Sequence, residues 1–391
     1  MNSKRFIVDL PQTLDVIALR GELNATGQLR SLSVLASPRG RVILSVALDQ
    51  PSLQTEKFLR QRVAQAGGRI ARDRALVPSE RLARDHWRGK KTVRQSLVVQ
   101  ESVGGPTFDG RGVKLALIDK HGVAAIPVFD GRLSTLVFDE ANGYVAGPHV
   151  VSPGDVEGTN VASVAVGDSP MLRSPAPKAQ LAAYKADWES EMIAAIDHAM
   201  TDKDVKLIFT AWHLVARNPE EPALLEEAIA RARANHVLFL AAAGNTGKVG
   251  SMLEPAVIQQ AFAVGTYVDG LGGARAAPDS GDSVAFDSTY GPVNTRKPDF
   301  LEFRGAYDVV DPDGSFSAAG GTSMAVARAA GVLATWYQGL RGIKVTVAMI
   351  EDILETTCLQ LLENGVAFPA NAQGLGALQE SKGLEAVLRV S

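Results

Sequence analysis

The sequence has little of several features that mark particular protein classes. It holds one cysteine, Cys358, in 391 residues, so no disulfide can form within the chain and the framework of a small secreted domain is excluded. No stretch approaches the ~20 apolar residues that a membrane-spanning helix needs. The formal net charge is only −3, which argues against duplex nucleic acid or an anionic membrane as a required partner.

The first residues also lack the pattern of a secretory leader. Two basic residues are followed by Phe6-Ile7-Val8, but Asp9 and Pro11 interrupt this apolar stretch at once. We therefore expect a cytoplasmic location. The hydrophobic content is 46%, which is ample for a sizeable core and excludes a disordered chain, and the length allows two or three domains.

Residues 1–80 are predicted to form a small α+β module, with short strands around one helix. Phe6–Val8 and Arg41–Leu48 have the composition of strands, and Leu53–Ala66 has helical spacing that ends at two glycines. Residues 81–105 follow as a basic linker. Because Trp87 alone adds an aromatic ring to its basic stretch, a solvated linker or docking face is favoured over a nucleic-acid site.

Residues 106–391 are predicted to form an α/β domain. Short apolar segments alternate with amphipathic ones, which indicates a doubly wound, mostly parallel sheet covered on both faces, with the chemistry at the carboxyl ends of its strands. The predicted strands are Val113–Ile118, Leu181–Tyr184, Val205–Thr210, Val237–Ala242 and Ala261–Val264, and the predicted helices are Glu191–Met200 and Pro222–Ala234.

Four segments of this domain carry residues suited to chemistry. Asp119 ends an apolar strand, Glu157 begins a segment of small residues, Gly244-Asn245 follows another strand, and Gly320-Gly321-Thr322-Ser323-Met324-Ala325 opens an Ala-rich helix. Each has an ordinary alternative, because an Asp at a strand end is often a turn residue and a Ser at a helix start is often an N-cap. Glycines that let a substrate approach, together with helix amides that stabilise an oxyanion, favour a catalytic site.

Taken in order, these segments resemble the subtilisin-like serine peptidases, the subtilases. That family runs Asp, then His-Gly-Thr-His-Val-Ala-Gly, then Ala-Ala-Gly-Asn, then Gly-Thr-Ser-Met-Ala. The resemblance covers roughly Gly110 to Gly339 and is most specific around Ser323. It implies a subtilisin-like sheet, with Ser323 as nucleophile, Asp119 as the acid that orients the base, and Asn245 as oxyanion donor.

The sequence departs from this family at the catalytic base. Glu157 stands in place of the catalytic His, and Asn160 in place of the second His of that motif. A solvated Glu, with a pKa near ~4.3, is a poorer base at neutral pH than an imidazole, and Asp119 becomes a like charge beside it. The related sedolisins use Glu here, but they add a second acid where this chain has Val161 and an Asp where it has Asn245.

The predicted substrate-binding residues are Ala211, Trp212, His213 and Gly244. Where subtilases have a Ser-Leu-Gly-Gly edge that pairs with substrate, this chain has Ala211-Trp212-His213-Leu214. The large side chains predict either a different specificity pocket or a blocked cleft, and Trp212 also suits a plain core role. Among histidines that could replace the missing base, His121 is favoured over His149 and His213 because it neighbours Asp119.

We expect no cofactor. The chain has no His-Glu-x-x-His motif, and one cysteine cannot form a zinc thiolate cluster. Asp311-Pro312-Asp313-Gly314 faintly resembles a calcium loop, but an ordinary turn is favoured. The family resemblance leaves open a structural calcium held by dispersed oxygens.

The N-terminal module is similar in pattern and position to the inhibitory prodomain of subtilases, which feeds its C-terminal tail through the cleft. If the enzyme cannot cleave itself, the module should stay attached. Two functions then compete. The favoured one is a pseudoprotease or strongly impaired serine peptidase that binds a peptide or partner protein in the former active-site cleft, and the alternative is an active serine endopeptidase with a Ser-Glu-Asp site.

Overall fold

The N-terminal module is a four-stranded antiparallel sheet covered by two helices. The computed structural model describes residues 3–11, 16–36, 41–78, 108–152, 154–269, 278–305 and 307–390, so the basic linker predicted at 81–105 lies outside the described residues. The sheet has the order β2-β3-β1-β4. Its elements are β1 (Ser3–Pro11), α1 (Val16–Asn24), β2 (Leu29–Ala36), β3 (Arg41–Asp49), α2 (Leu53–Gln65) and β4 (Arg69–Arg72).

The prediction of a single helix in this module was wrong. Helix α2 was predicted, and it begins where Ser52 Oγ accepts a hydrogen bond from the Thr55 backbone N–H at 3.1 Å. Helix α1 was missed because it is short, contains Gly21 and buries only Leu19 and Leu23, which is too weak a pattern to indicate a helix without its sheet.

The larger domain is built on a nine-stranded sheet in the order β16-β15-β14-β12-β6-β11-β7-β8, with β17 also paired to β15. The central strands are parallel, whereas β8 and β16 are antiparallel. Strand β5, in the tail of the N-terminal module, pairs with β13, and the other strands outside this sheet also form short pairs. In chain order the strands are β5 (Leu76–Pro78), β6 (Lys114–Asp119), β7 (Leu133–Asp139), β8 (Gly143–Ala146), β9 (Asp168–Ser169), β10 (Leu172–Arg173), β11 (Gln180–Lys185), β12 (Val205–Thr210), β13 (Trp212–Leu214), β14 (Leu238–Ala242), β15 (Phe262–Val268), β16 (Ser283–Val284), β17 (Phe300–Phe303), β18 (Tyr307–Val310), β19 (Phe316–Ala319), β20 (Leu362–Glu363) and β21 (Val366–Ala367).

Helices cover both faces of this sheet, and the order of strands places a cleft at its centre. Strands β11 and β12 lie on opposite sides of β6, so the order in which strands are added to the sheet reverses at β6. Open α/β sheets bind ligands at the carboxyl ends of the strands at such a switch point. The helices are α3 (Glu157–Val166), α4 (Glu189–Ala199), α5 (Leu224–Ala234), α6 (Thr322–Gly339), α7 (Val347–Thr357), α8 (Ala370–Gln373) and α9 (Glu380–Val390), with a 3₁₀ turn at Pro127–Phe129.

Helices α3 and α6 share one apolar core. Val161, Val164 and Leu333 are fully buried in it, as is Trp336. This packing fixes the N-terminal ends of both helices at the central cleft. In the described parts of the chain, no helix is both long and apolar enough to cross a membrane.

Candidate active site

Ser323 lies in the first turn of α6 and is fully buried. Its hydroxyl donates a hydrogen bond to Glu157 Oε1 at 2.8 Å. Because a hydroxyl has only one proton, this bond points the proton at the carboxylate, as a nucleophile points its proton at a base. The two residues are 166 positions apart in sequence, so only the fold brings them together.

Glu157 is the first residue of α3 and is also buried. A carboxylate is favoured there because the N-terminal end of a helix carries a partial positive charge. The following residue, Gly158, explains how α3 comes so close to β6. A Cβ on Gly158 would collide with the Gly122 carbonyl oxygen and with Asp119 Oδ1.

Asp119 ends β6 and is held by three donors. Its Oδ1 accepts hydrogen bonds from the backbone N–H groups of His121 at 2.8 Å and Gly122 at 3.0 Å, and its Oδ2 accepts one from Trp212 Nε1 at 2.8 Å. Burial raises the pKa of Asp119 to about 6, although the Trp212 indole and the two backbone donors lower it. An indole N–H therefore binds this carboxylate where the family resemblance had implied an imidazole.

Asn245 follows β14 and is fixed against the start of α6. Its side-chain Oδ1 accepts hydrogen bonds from the Thr322 backbone N–H at 2.9 Å and from Thr322 Oγ1 at 3.1 Å. The preceding Gly244 N–H donates to the same Thr322 hydroxyl at 3.1 Å. Because the Asn245 Oδ1 atom accepts both of these bonds from Thr322, the side-chain Nδ2 atom, which is a donor, lies on the other side of the amide group.

The tail of the N-terminal module lies along the predicted cleft edge. Strand β5 pairs antiparallel with β13, with Pro78 opposite Trp212, Val77 opposite His213 and Leu76 opposite Leu214. Ala211, which is buried, connects β13 to the end of β12. The edge predicted to bind substrate therefore does pair with an extended segment, which is a segment of this chain.

Two further contacts hold this segment from its other side. The Leu76 N–H donates to the Asp187 carbonyl oxygen at 3.0 Å, and Lys120 Nζ donates to the Leu76 carbonyl oxygen at 3.0 Å. Lys120 Nζ also lies 5.9 Å from the centre of the Trp212 ring. Lys120 was not among the residues predicted to line the cleft. The one sequence signal for it was the loop after Asp119, which is one residue longer than in the family pattern.

The three histidines considered as substitute bases lie in different surroundings. His149 uses both ring nitrogens, since Nδ1 accepts from the Val123 N–H and Nε2 lies 2.9 Å from the Leu136 carbonyl oxygen. His121 packs edge-on against the Trp212 ring, with Nε2 3.5 Å from Asp155 Oδ1.

His213 is a buried residue of β13, and its Nε2 lies 2.6 Å from the Ala242 carbonyl oxygen. Burial lowers the pKa of His149 and of His213, which favours their neutral rings.

Asp311-Pro312-Asp313-Gly314 forms the turn between β18 and β19, with the Gly314 N–H bonded to the Asp311 carbonyl oxygen at 2.8 Å. These four residues therefore form a turn, and the absence of calcium there stays a prediction. In the part of the chain that the structure covers, no group of three or more His, Cys, Asp or Glu side chains could hold a metal ion.

A sequence model of the subtilase family matches residues 110–376, which is more than half of the chain. The chain belongs to the subtilase family. The family and the subtilisin-like α/β fold predicted from sequence are thus confirmed. No curated protein matches this subtilase closely enough in sequence to be significant.

Solved structures agree with the fold of this subtilase. Fervidolysin from Fervidobacterium pennivorans, a keratinolytic enzyme related to subtilisin, has a TM-score of 0.70 and 17% identity, covering 98% of this chain and 61% of that one. The epidermin leader peptide processing serine protease from Staphylococcus aureus has a TM-score of 0.66 and 15% identity, covering 98% and 99%. The prenylagaramide maturation protease PagA has a TM-score of 0.56 and 21% identity, covering 72% and 95%.

Proposed function

We propose that this subtilase binds extended peptides along β13 and is strongly impaired as a serine peptidase. The observation that carries the proposal is the hydrogen bond from the Ser323 hydroxyl to the Glu157 carboxylate at 2.8 Å. In this proposal Ser323 is the nucleophile, Asn245 and the amides at the start of α6 are the oxyanion donors, and Glu157 is a weak base.

The impairment follows from the chemistry of the base. A general base must take the serine proton and return it to the leaving amine, which requires a pKa near the working pH. A carboxylate beside Asp119 is a like charge, and the Asp119 oxygens already accept bonds from Trp212 and two backbone donors. Loss of the triad histidine lowers kcat on the order of 10⁶-fold in subtilisin, and binding and the oxyanion hole leave a residual rate.

The β5–β13 pairing supports the binding half of the proposal. Main-chain pairing along an exposed strand edge is a common way to hold an extended peptide, because backbone hydrogen bonds supply affinity and pockets for side chains supply specificity. Two solved structures of similar fold are named a leader peptide processing protease and a maturation protease. We therefore propose that the partner bound in this cleft is a peptide or a protein.

Labelling with a fluorophosphonate, which reacts with an activated serine, tests the catalytic half. We expect slow labelling of the wild-type protein at pH 7, none in Ser323→Ala, and labelling at least tenfold faster in Glu157→His, because an imidazole would replace the weak base. Wild-type labelling as fast as that of Glu157→His at pH 7 would overturn the proposed impairment.

An active Ser-Glu-Asp endopeptidase is the second candidate, and the raised pKa of Asp119 favours it. Below about pH 6 Asp119 becomes neutral, which removes the like charge near Glu157 while the Ser323 bond to Glu157 remains in place. This candidate predicts labelling and peptide cleavage that peak at acid pH and vanish in Glu157→Gln. A labelling rate that stays low from pH 4 to pH 8 rejects it.

A further inference from the structure

His213 fills the space behind the peptide-binding edge. It is 4% exposed, and its Nε2 donates to the Ala242 carbonyl oxygen at 2.6 Å, since a carbonyl can only accept. Its Cε1 lies 3.5 Å from the point that a Cβ on Gly244 would occupy. The imidazole therefore spans the gap between β13 and the turn that carries Asn245.

That gap lies on the path of a bound peptide. Strand β5 shows the direction of such a peptide, because Leu76, Val77 and Pro78 run from Leu214 towards Trp212. Trp212 is bonded to Asp119, and the Gly244 turn is bonded to Thr322, next to Ser323. A peptide in this register that continues past the Pro78 position places its next residue opposite Ala211, at the catalytic end of the cleft.

The residue whose carbonyl faces Ser323 and Asn245 must therefore pass between β13 and the Gly244 turn. Its side chain would enter the space that the His213 ring occupies. The size of this gap cannot be varied by substituting Gly244, because its backbone φ is +103° and a Cβ there would lie 2.9 Å from Thr289 Oγ1. The imidazole of His213 is a large group between the two elements, and a substitution can remove it without straining the backbone, because His213 does not have a positive φ.

We infer that His213 restricts the cleft to peptides with a small side chain, such as that of Gly, Ala or Ser, at the residue that contributes the carbonyl facing Ser323. This inference rests on the proposed function, because it names the peptide class that the same cleft selects. His213 restricts the cleft through its volume, since its ring is buried and is bonded to the backbone of β14.

A binding experiment with two fluorescent peptides tests this inference without requiring turnover. Both peptides have the sequence of residues 71–78 followed by one more residue, which is Ala in one peptide and Phe in the other. Fluorescence anisotropy is measured with the full chain and repeated in a Leu76→Asp background, in which we expect the chain's own tail strand to be displaced. We expect the wild type to favour the Ala peptide, and His213→Gly to favour the Phe peptide by about tenfold, since the opened space would bury the phenyl ring.

His213→Phe is the matched variant, because it keeps the space filled but removes the bond to Ala242, and it should keep the preference for Ala. His213→Ala gives a second, smaller opening in case His213→Gly does not fold, which thermal unfolding reveals. A preference for Ala that persists in both His213→Gly and His213→Ala overturns the role of His213 while leaving peptide binding intact. If neither peptide binds any variant, the proposed peptide-binding function fails and this inference fails with it.

Discussion

Gly158 allows the candidate catalytic groups to meet. It follows Glu157 at the start of α3, and the space where its side chain would be is taken by Asp119 Oδ1 and the Gly122 carbonyl oxygen. Neither atom can move easily. Asp119 is fixed by hydrogen bonds from Trp212 and from two backbone N–H groups, and the Gly122 oxygen belongs to the backbone. The contact between Glu157 and Ser323 therefore depends on a missing side chain one residue away.

We predict that Gly158→Ala lowers the free energy of unfolding by about 1–3 kcal/mol through overpacking, which outweighs a helix-propensity gain of about 1 kcal/mol for Ala. Chemical denaturation measures this change. The control is Gly154→Ala, because a Cβ on Gly154 meets nothing within 4 Å, so its effect should stay within about 0.5 kcal/mol. Equal stability of the two variants would contradict the close packing of α3 on β6.

Helix α4 shows how one element depends on the module that docks against it. The helix has no side-chain cap from its own N-cap residue. Instead Asp73 of the module accepts bonds from the Ser190 N–H at 2.9 Å and the Ser190 hydroxyl at 2.6 Å. Arg74 next to it forms a buried pair with Glu189 at 2.7 Å. The start of α4 is thus completed by residues more than a hundred positions earlier in sequence.

Glu191 in the first turn of α4 gives this element a pH dependence. Burial raises the pKa of Glu191 from 4.5 to about 7, so the folded protein binds a proton there that the unfolded chain has released. This group therefore lowers the stability as the pH rises from about 4.5 to 7, and the loss is complete above pH 7.

We predict that Glu191→Gln matches the wild-type stability at pH 4 and exceeds it by up to about 3 kcal/mol at pH 8, because the neutral amide resembles the protonated acid. Its side-chain oxygen can still accept the bond from the Asp187 N–H, which is 2.7 Å long in the wild type. Urea denaturation across pH measures the difference. Glu140→Gln, at an exposed position, should leave the pH profile unchanged, and a Glu191→Gln profile parallel to the wild type would refute the prediction.

At the scale of the whole molecule, the module and the larger domain share one buried interface. Leu76 is 1% exposed and belongs to the core of the larger domain, although it lies in the tail of the module. Arg69 of the module also pairs with Glu227 on α5. The tail therefore occupies the β13 edge, and an outside peptide that binds there, as we propose, would have to displace a segment of the same chain that is present at high effective concentration.

We predict that Leu76→Asp makes an outside peptide bind at least about tenfold more tightly, because a buried carboxylate without a partner expels the tail strand from β13. Anisotropy with the Ala-ended peptide described above measures this affinity. Leu53→Asp is the control, since Leu53 is 70% exposed on the same module and should leave the affinity unchanged. An unchanged affinity in Leu76→Asp would show that β5 does not compete for the edge.

Much of the fold followed from local patterns. The parallel strands β11, β12 and β14 were predicted within one or two residues, because buried parallel strands are short and apolar throughout. The antiparallel strand β3 was predicted equally closely from its apolar composition. Helix α1 was missed because its stability depends on the sheet beneath it. The roles of Asp119, Glu157, Asn245 and Ser323 remain predictions, although the structure does bring these residues to one site.

The sequence by itself determined the family and the class of sheet, because motif order and residue identity are local properties of the chain. That Glu157 stands at the position of the catalytic histidine remains a prediction from the motif. Only the tertiary structure decided what each of these groups faces. That the indole of Trp212 binds Asp119, that Lys120 holds the Leu76 carbonyl, and that the His213 ring lies against the Gly244 turn are contacts between distant segments. Such contacts depend on how the elements pack, and spacing along the chain does not encode them.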